Sequence, residues 1–454
     1  MKVDCLVAEI GSTTTKVLAF NLHNSSAQYI GRGMYRTTVE SDVTIGLNEA
    51  IEDLKRNLNV KDLIYDEFFS SSSAAGGLKI TCHGLVYEMT AKAAKEAALN
   101  AGANVHLITA NLLEDEDILK IKSINPNIIV IAGGTDYGEK KVSFSNLEKV
   151  IPLNIPIIYA GNIANHDKIR KLYQNKVTIV DNVYPRVDFM NILPLREAIY
   201  NVFEKNIIYA KGMKNIFKMI NGTIIPTPGA VMDATIIFDE ELKGVMSIDV
   251  GGATTDIHSV CDPKPEYIKY SEGEPRFKRT VEGDLGVFIN RENVLSLVNK
   301  DLITSKLNLC YQELIDIIKK EPFIPKTING KNVIDFLVKQ CVFLALDRHI
   351  GDLKRVFTTN GYKVIPEGRD VSQIKTIFLT GGALRSIENP ELIIQEYINK
   401  NNTKLIFSQD VKIYVDKDYI LSSCGVLSHK YPKKAKELLF NSLIKEITIN
   451  KSSK

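Results

Sequence analysis

Ala8-Glu9-Ile10-Gly11-Ser12-Thr13-Thr14-Thr15-Lys16 follows an apolar run that starts at Val3 and feeds another that ends at Asn21. The pattern predicts a strand from Val3 to Ile10, a polar turn from Gly11 to Thr15 and a second strand from Lys16 to Asn21. Much further along, Ile248-Asp249-Val250-Gly251-Gly252-Ala253-Thr254-Thr255-Asp256 repeats the layout: an acid at the strand end, glycine two residues on, then small hydroxyl residues. Taken alone, either turn fits a plain hairpin rich in small polar residues. Two copies, one opening each half of the chain, point to a duplicated unit. The chemistry suits phosphate: glycine admits close approach, and backbone N–H groups with the hydroxyls of Ser12, Thr13 and Thr14 can surround an anion.

The acids give the turns a second use. Glu9 and Asp249 stand where a carboxylate can hold a water of a bound magnesium ion or position an attacking water, and both are candidate catalytic and metal residues. Asp256 is a third metal candidate, or it orients the loop by accepting backbone N–H bonds. Gly11, Ser12, Thr13, Thr14 and Lys16 in the first turn, with Gly251, Gly252, Ala253 and Thr254 in the second, are the candidate phosphate-binding residues. A third glycine turn, Phe378-Leu379-Thr380-Gly381-Gly382-Ala383-Leu384-Arg385, follows a strand in the second half; Gly381, Gly382 and Ala383 offer bare backbone to a base and ribose.

The rest of the chain is read around these anchors. Its 454 residues allow two to four domains at roughly 100 to 200 residues each. Short apolar runs near 78–82, 105–108, 128–132, 155–159 and 177–180 alternate with helical segments, the signature of βα units on a mainly parallel sheet. The helix predicted from Tyr87 ends at Asn100, with Gly102 as its left-handed cap. Another helical stretch runs from Leu195 to Met219, and the turn-rich segment Asn221 to Gly229 marks a boundary. The expected domains are therefore 1–228 and 229–454, with later helices at Arg291 to Asn299, Leu307 to Lys319 and Val333 to Val356.

Composition excludes several classes. Charged residues make up 24% and the net charge is +3, with both signs mixed, so a nucleic-acid face is not expected. The locally basic end, Lys433 to Lys454, reads as a solvated terminus. Six cysteines without metal-ligand spacing fit reduced thiols. Asp4 and Glu9 interrupt the first apolar run, and no later run approaches the ~20 residues of a membrane span, so the expectation is a soluble cytoplasmic protein. A P-loop word is absent, and Gly31-Arg32-Gly33 lacks the third glycine of a dinucleotide fingerprint.

In this order the three turns resemble the phosphate 1, phosphate 2 and adenosine motifs of the actin, heat-shock chaperone and sugar kinase superfamily of ATPases. That resemblance implies an α/β, two-lobed actin-like ATPase fold of duplicated ribonuclease H-like domains, binding ATP with Mg2+ in a cleft between the lobes. Glu9 departs from the usual Asp, which alters metal contact or water placement more than nucleotide binding. A closer resemblance is to the glutamate mutase accessory proteins called MutL or GlmL, unrelated to the mismatch-repair protein of similar name. Its words are Val7 to Thr15, Ser70 to Leu78, Ala132 to Asp136, Tyr159 to Asn162, Pro226 to Val231, Asp249 to Val260 and Arg279 to Gly286.

This second resemblance implies an ATP-dependent, chaperone-like reactivating factor for an adenosylcobalamin-dependent mutase, with mutase subunits and ATP or ADP as partners and weak ATPase activity. The alternative on the same fold is a small-metabolite kinase in which Asp249 serves as base. Asp136, Glu282 and Asp284 are open: each is either a ligand residue or a turn and cap residue. Asp347-Arg348-His349-Ile350-Gly351 is similar to a cobalt-ligating Asp-x-His-x-x-Gly word. Its glycine comes one residue early, so His349 is read as an ordinary helical histidine.

Overall fold

The computed structural model describes the chain except for residues 24, 39–40, 74–78, 102, 188, 208–212, 223, 272–273, 300–302, 304–305, 321–324, 359–360, 402 and 445–454. The Gly102 cap, the end of the Ser70 to Leu78 word and the last basic residues therefore lie outside the described residues.

Strands β1 (Lys2–Ile10), β2 (Thr14–Asn21), β3 (Gln28–Arg36) and β4 (Ile64–Ser72) open the chain. β5 (Lys79–Gly84), β6 (Asn104–Ala110), β7 (Ile128–Ile131), β8 (Ile157–Tyr159) and β9 (Val177–Ile179) follow, and β10 (Ile224–Pro226) returns to the first sheet. That sheet has the order β10-β4-β1-β2-β3, with β1 antiparallel to β2 and parallel to β4. β11 (Val245–Val250), β12 (Thr255–Val260), β13 (Phe277–Glu282), β14 (Asp352–Thr358), β15 (Gly361–Glu367), β16 (Thr376–Thr380) and β17 (Lys412–Val415) complete the set. The sheet β13-β12-β11-β16-β17 repeats the first order, again with its central strand antiparallel to the next strand and parallel to a later one. The fold is thus α/β, with two five-stranded sheets of the same strand order.

The chain divides into two compact units, Met1–Ala230 with Glu272–Lys278, and Val231–Ser271 with Arg279–Lys454. Each sheet is built on a nearly continuous apolar strand. β1 buries Leu6, Val7 and Ala8 in succession, and β11 buries Met246, Ser247 and Ile248, the pattern of strands covered on both faces. In the first unit the helix Val43–Asn57 covers β3, with Asp42 accepting the Thr44 N–H as its N-cap and Leu47, Ala50 and Leu54 turned inward. Gly31 and Gly33 lie in β3, beneath that helix, and not in a ligand loop.

Between β4 and β10 sits a second sheet of the first unit, order β6-β5-β7-β8-β9, its neighbouring strands parallel. This doubly wound insertion matches the βα alternation read from the sequence. Four sequence expectations need correction. The helix from Tyr87 opens with a π-helical turn, Tyr87–Ala91, before the α-helix Lys92–Asn100. The turn-rich Asn221 to Gly229 holds β10 and the start of a helix, Thr227–Leu242, because Pro228 falls at the first turn, where its missing N–H costs nothing. The helix expected to reach Val356 runs Ile328–His349 and stops before Gly351; β14 begins directly after. The stretch Leu195 to Met219 is two helices, Leu193–Ile207 and Met213–Met219.

Candidate functional site

The two turns have the same backbone. The Gly11 N–H donates to the Thr14 carbonyl at 3.0 Å, and the Gly251 N–H donates to the Thr254 carbonyl at 2.9 Å. The segment that follows each central strand's parallel neighbour, β4 or β16, closes the turn from its other side: Ser73 N–H donates to the Ile10 carbonyl, and Ala383 N–H to the Val250 carbonyl. Outer segments then take up the turn carbonyls. Thr37 N–H binds the Thr13 carbonyl at 2.9 Å; Phe288 and Ile289 N–H bind that of Gly252 at 2.9 and 2.8 Å. Among the described residues, the N–H groups of Ser12, Thr13, Gly252, Ala253 and Thr254 are engaged by no backbone carbonyl. Carbonyls tied outward with N–H groups left over is the arrangement of an anion-binding nest.

Side chains distinguish the two. In the first unit Glu9 and Lys16 are cross-strand partners, and the Lys16 Nζ lies 2.9 Å from the Glu9 carboxylate, with side chains 2% and 11% exposed. Lys16 is therefore directed onto Glu9. Ser12 Oγ donates to the Ser73 carbonyl at 3.2 Å, while Thr15 Oγ1 bonds Thr37 Oγ1 at 2.9 Å and braces the turn from below.

In the second unit the same cross-strand position pairs Asp249 with Asp256. Asp256 is buried and accepts from Arg279 at 3.1 Å. Burial pushes its carboxyl upward, against the pull of that guanidinium. Arg279, on the neighbouring strand β13, thus takes Asp256 as an ion-pair partner. Asp249 is half-buried at the strand end. Its Oδ1 is packed against Gly381: a Cβ there would lie 2.5 Å from that oxygen and from the Val250 carbonyl, and the Gly381 φ is +95°. The Gly381-Gly382-Ala383 turn and the Asp249 carboxylate are thus brought together, and only glycine fits where they meet.

The family word Arg279 to Gly286 is the support of the second turn. Gly286 lies against Ala253, where a Cβ would fall 2.3 Å from its backbone. Asn290 Nδ2 donates to the Ala253 carbonyl at 2.7 Å. Glu282 and Asp284 both accept from Arg348 at 2.6 Å. Burial raises the Glu282 carboxyl, whereas hydrogen bonding to Arg348 lowers that of Asp284. His349 is buried at the end of its helix, bonded to Thr280 Oγ1 at 3.0 Å and Ser259 Oγ at 2.8 Å, as an ordinary core histidine.

The words in the insertion fasten its loops. Asp136 Oδ1 accepts from the Ile163 N–H and from Asn182 Nδ2, and Asn162 bridges to the Gly138 and Glu139 carbonyls. Sequence reasoning missed Asp416, which is fully buried, accepts from Thr380 Oγ1 at 2.9 Å and takes the N–H groups of Ile420 and Leu421. Its signal was an acid just before the apolar helix Leu421–Ser428. It missed also Arg385, whose guanidinium lies 5.2 Å from the Tyr419 ring beside the third turn.

Comparison with known proteins places this geometry. A profile described as MutL protein matches residues 5–443. Protein MutL of Clostridium tetanomorphum is 33% identical over 465 residues, spanning 97% of this chain and 99% of that protein. The chain belongs to the MutL protein family. Among solved structures, the nucleotide-free diol dehydratase-reactivating factor aligns over 94% of this chain and 99% of its own at 11% identity and a TM-score of 0.40. Nucleotide-free acetone carboxylase aligns over 94% and 70% at 12% identity and 0.38. Membership rests on the sequence match, which runs through all three turns of this MutL-family chain. None of its described cysteines is in a disulfide; five are buried and Cys310 is exposed. No helix among the described residues is long and apolar enough to cross a membrane.

Proposed function

We propose that this MutL-family protein is an ATP-dependent reactivating factor for an adenosylcobalamin-dependent mutase, acting on a glutamate mutase or an aminomutase whose cobalamin has been damaged. The observation that carries it is the repetition of one turn, with N–H groups engaged by no backbone carbonyl, after the central strand of each of two sheets, in a chain of this family. In this reading the N–H groups of Ser12 and Thr13 and those of Gly252 to Thr254 take up nucleotide phosphates, and Gly381 to Ala383 give the adenosine a flat backbone face. The strained φ of Gly381 sets that face against Asp249.

The residues also suit magnesium. No cluster of three or more His, Cys, Asp or Glu fit to hold a metal occurs among the described residues. Mg2+ asks for less: one or two carboxylates, with phosphates and waters completing its shell. Asp249, half-buried at its strand end and set against Gly381, is the carboxylate we assign to it. A bound ion would supply charge neutralisation for the phosphates. Asp249 would hold and orient water beside them.

The coupling is mechanical. Nucleotide must bind two arrangements of the chain unequally, by about 1.4 kcal/mol for each tenfold shift in their populations. The test is reactivation: incubate the protein with ATP, magnesium and a mutase inactivated with damaged cobalamin, then follow activity and release of the old cofactor. Recovery that requires ATP supports the reading. Failure with every mutase, together with phosphate transfer to a sugar or acid, overturns it in favour of a kinase.

A further inference from the structure

β14 and β15 form a two-stranded sheet of their own. Its base is tied down: Leu353 N–H donates to the Thr403 carbonyl at 2.8 Å, Lys404 pairs with Asp352 at 3.2 Å, and Gly351 N–H donates to the Arg369 carbonyl. Its outer half is different. Phe357 is 75% exposed, Tyr362 79% and Val364 52%. Phe357 pairs with Tyr362 and Arg355 with Val364 across the strands, so these four side chains share one face. A lone hairpin is marginally stable in water, and an aromatic face on one marks a binding surface.

Charge says what kind. From Leu353 to Pro366 the sequence has Lys354, Arg355 and Lys363 and no carboxylate. A second copy would bring like charges together. Nucleic acid is disfavoured because the two rings meet at 73°, edge against face, with centroids 5.3 Å apart, which leaves no parallel platform for successive bases. An anionic membrane calls for clusters of about four to eight cations. Two exposed aromatic rings with an arginine on the same face, and lysines only on the reverse face, are the composition of a protein-binding hot spot.

We propose that the outer half of the β14–β15 hairpin grips a partner protein whose surface offers an apolar recess rimmed by carboxylates, and that this partner is the client mutase. The identity of the partner rests on the reactivating reading; the chemistry of the surface does not. The test uses the full chain and two purified probes, an adenosylcobalamin-dependent glutamate mutase and an aminomutase. One variant carries Phe357→Ser with Tyr362→Ser, the other Arg355→Glu with Lys363→Glu. MgATP affinity and thermal melting are measured alongside, and neither should change, since all four side chains lie outside the phosphate turns.

The expected result is that the wild-type chain binds one mutase, the aromatic variant binds it at least tenfold more weakly, and the charge variant binds weakly with little dependence on salt. Equal binding by wild type and both variants overturns the hairpin and leaves the reactivating reading standing. No binding of either mutase by the wild type overturns both. A wild-type dimer that the aromatic variant dissolves, or wild-type binding to phosphatidylserine vesicles that the variants lose, assigns the surface to another occupant and overturns the proposal.

Discussion

The turn after β1 and the turn after β11 share a backbone and differ in charge. Opposite Glu9 the next strand presents Lys16; opposite Asp249 it presents Asp256. In the first unit the acid is neutralised locally, inside the hairpin, by a lysine that is almost wholly buried. In the second, Arg279 from the third strand takes up Asp256, and Asp249 remains at the strand end beside Gly381. One scaffold thus carries an acid facing a lysine in one unit and two acids facing each other in the other. A duplicated fold need not duplicate its chemistry.

Substitutions can break this contrast. Lys16→Met strands the Glu9 carboxylate beneath the turn, and breaking a buried pair from one side costs about 3 to 5 kcal/mol. Urea unfolding of the full chain should show that loss, and adding Glu9→Gln should restore much of it. No loss would mean the pair does not hold the first turn.

Asp249→Asn should lower magnesium-dependent ATP turnover by about 100-fold, the scale of losing one electrostatic contact in a site, with unfolding unchanged. Glu9→Gln alone should reduce turnover far less. Equal effects of the two would erase the asymmetry between the turns.

Gly381→Ala places a methyl against Asp249 Oδ1 in a left-handed conformation. It should weaken MgATP binding by about tenfold, or 1.4 kcal/mol, as read by calorimetry. The smallest effect belongs to Arg348→Ala, whose partly exposed pairs with Glu282 and Asp284 are worth about 1 kcal/mol or less of stability.

Acid sharpens the comparison another way. In the insertion of the first unit, burial lowers His83 to about 4, its nitrogens held by Thr109 Oγ1 and Thr81 Oγ1. A histidine with a depressed folded-state pKa contributes stability above its unfolded value of about 6.5, and that contribution is lost as pH falls toward 4. Unfolding free energy should therefore decline by up to about 1.4 kcal/mol per pH unit in that window, and His83→Gln should flatten the slope. An unchanged slope would show that His83 is not the group responsible.

Much of this was legible in the residues. The parallel strands of the insertion stood out because β7 and β8 are unbroken apolar runs, and the two hairpins because acid, glycine and hydroxyl recur at one spacing. Other elements were silent. β3, with Gly31, Arg32 and Gly33, does not alternate cleanly, and its partner helix Val43–Asn57 was not separated from the surrounding loops. The start of β14 reads as the end of a helix because apolar residues continue past His349, and the break at Gly351 acts through the tertiary bonds of that glycine to Arg369 and Leu405.

By itself the sequence determined the α/β class, the two repeated turns, the third glycine turn and the family, because each depends on spacing along one local stretch. Tertiary structure decided which charges meet. Lys16 meets Glu9 through the register of one hairpin, whereas Arg279 lies on Asp256 and Gly381 on Asp249 only when strands distant in the chain come together. Register is fixed by packing of whole sheets, and no single stretch of sequence carries it.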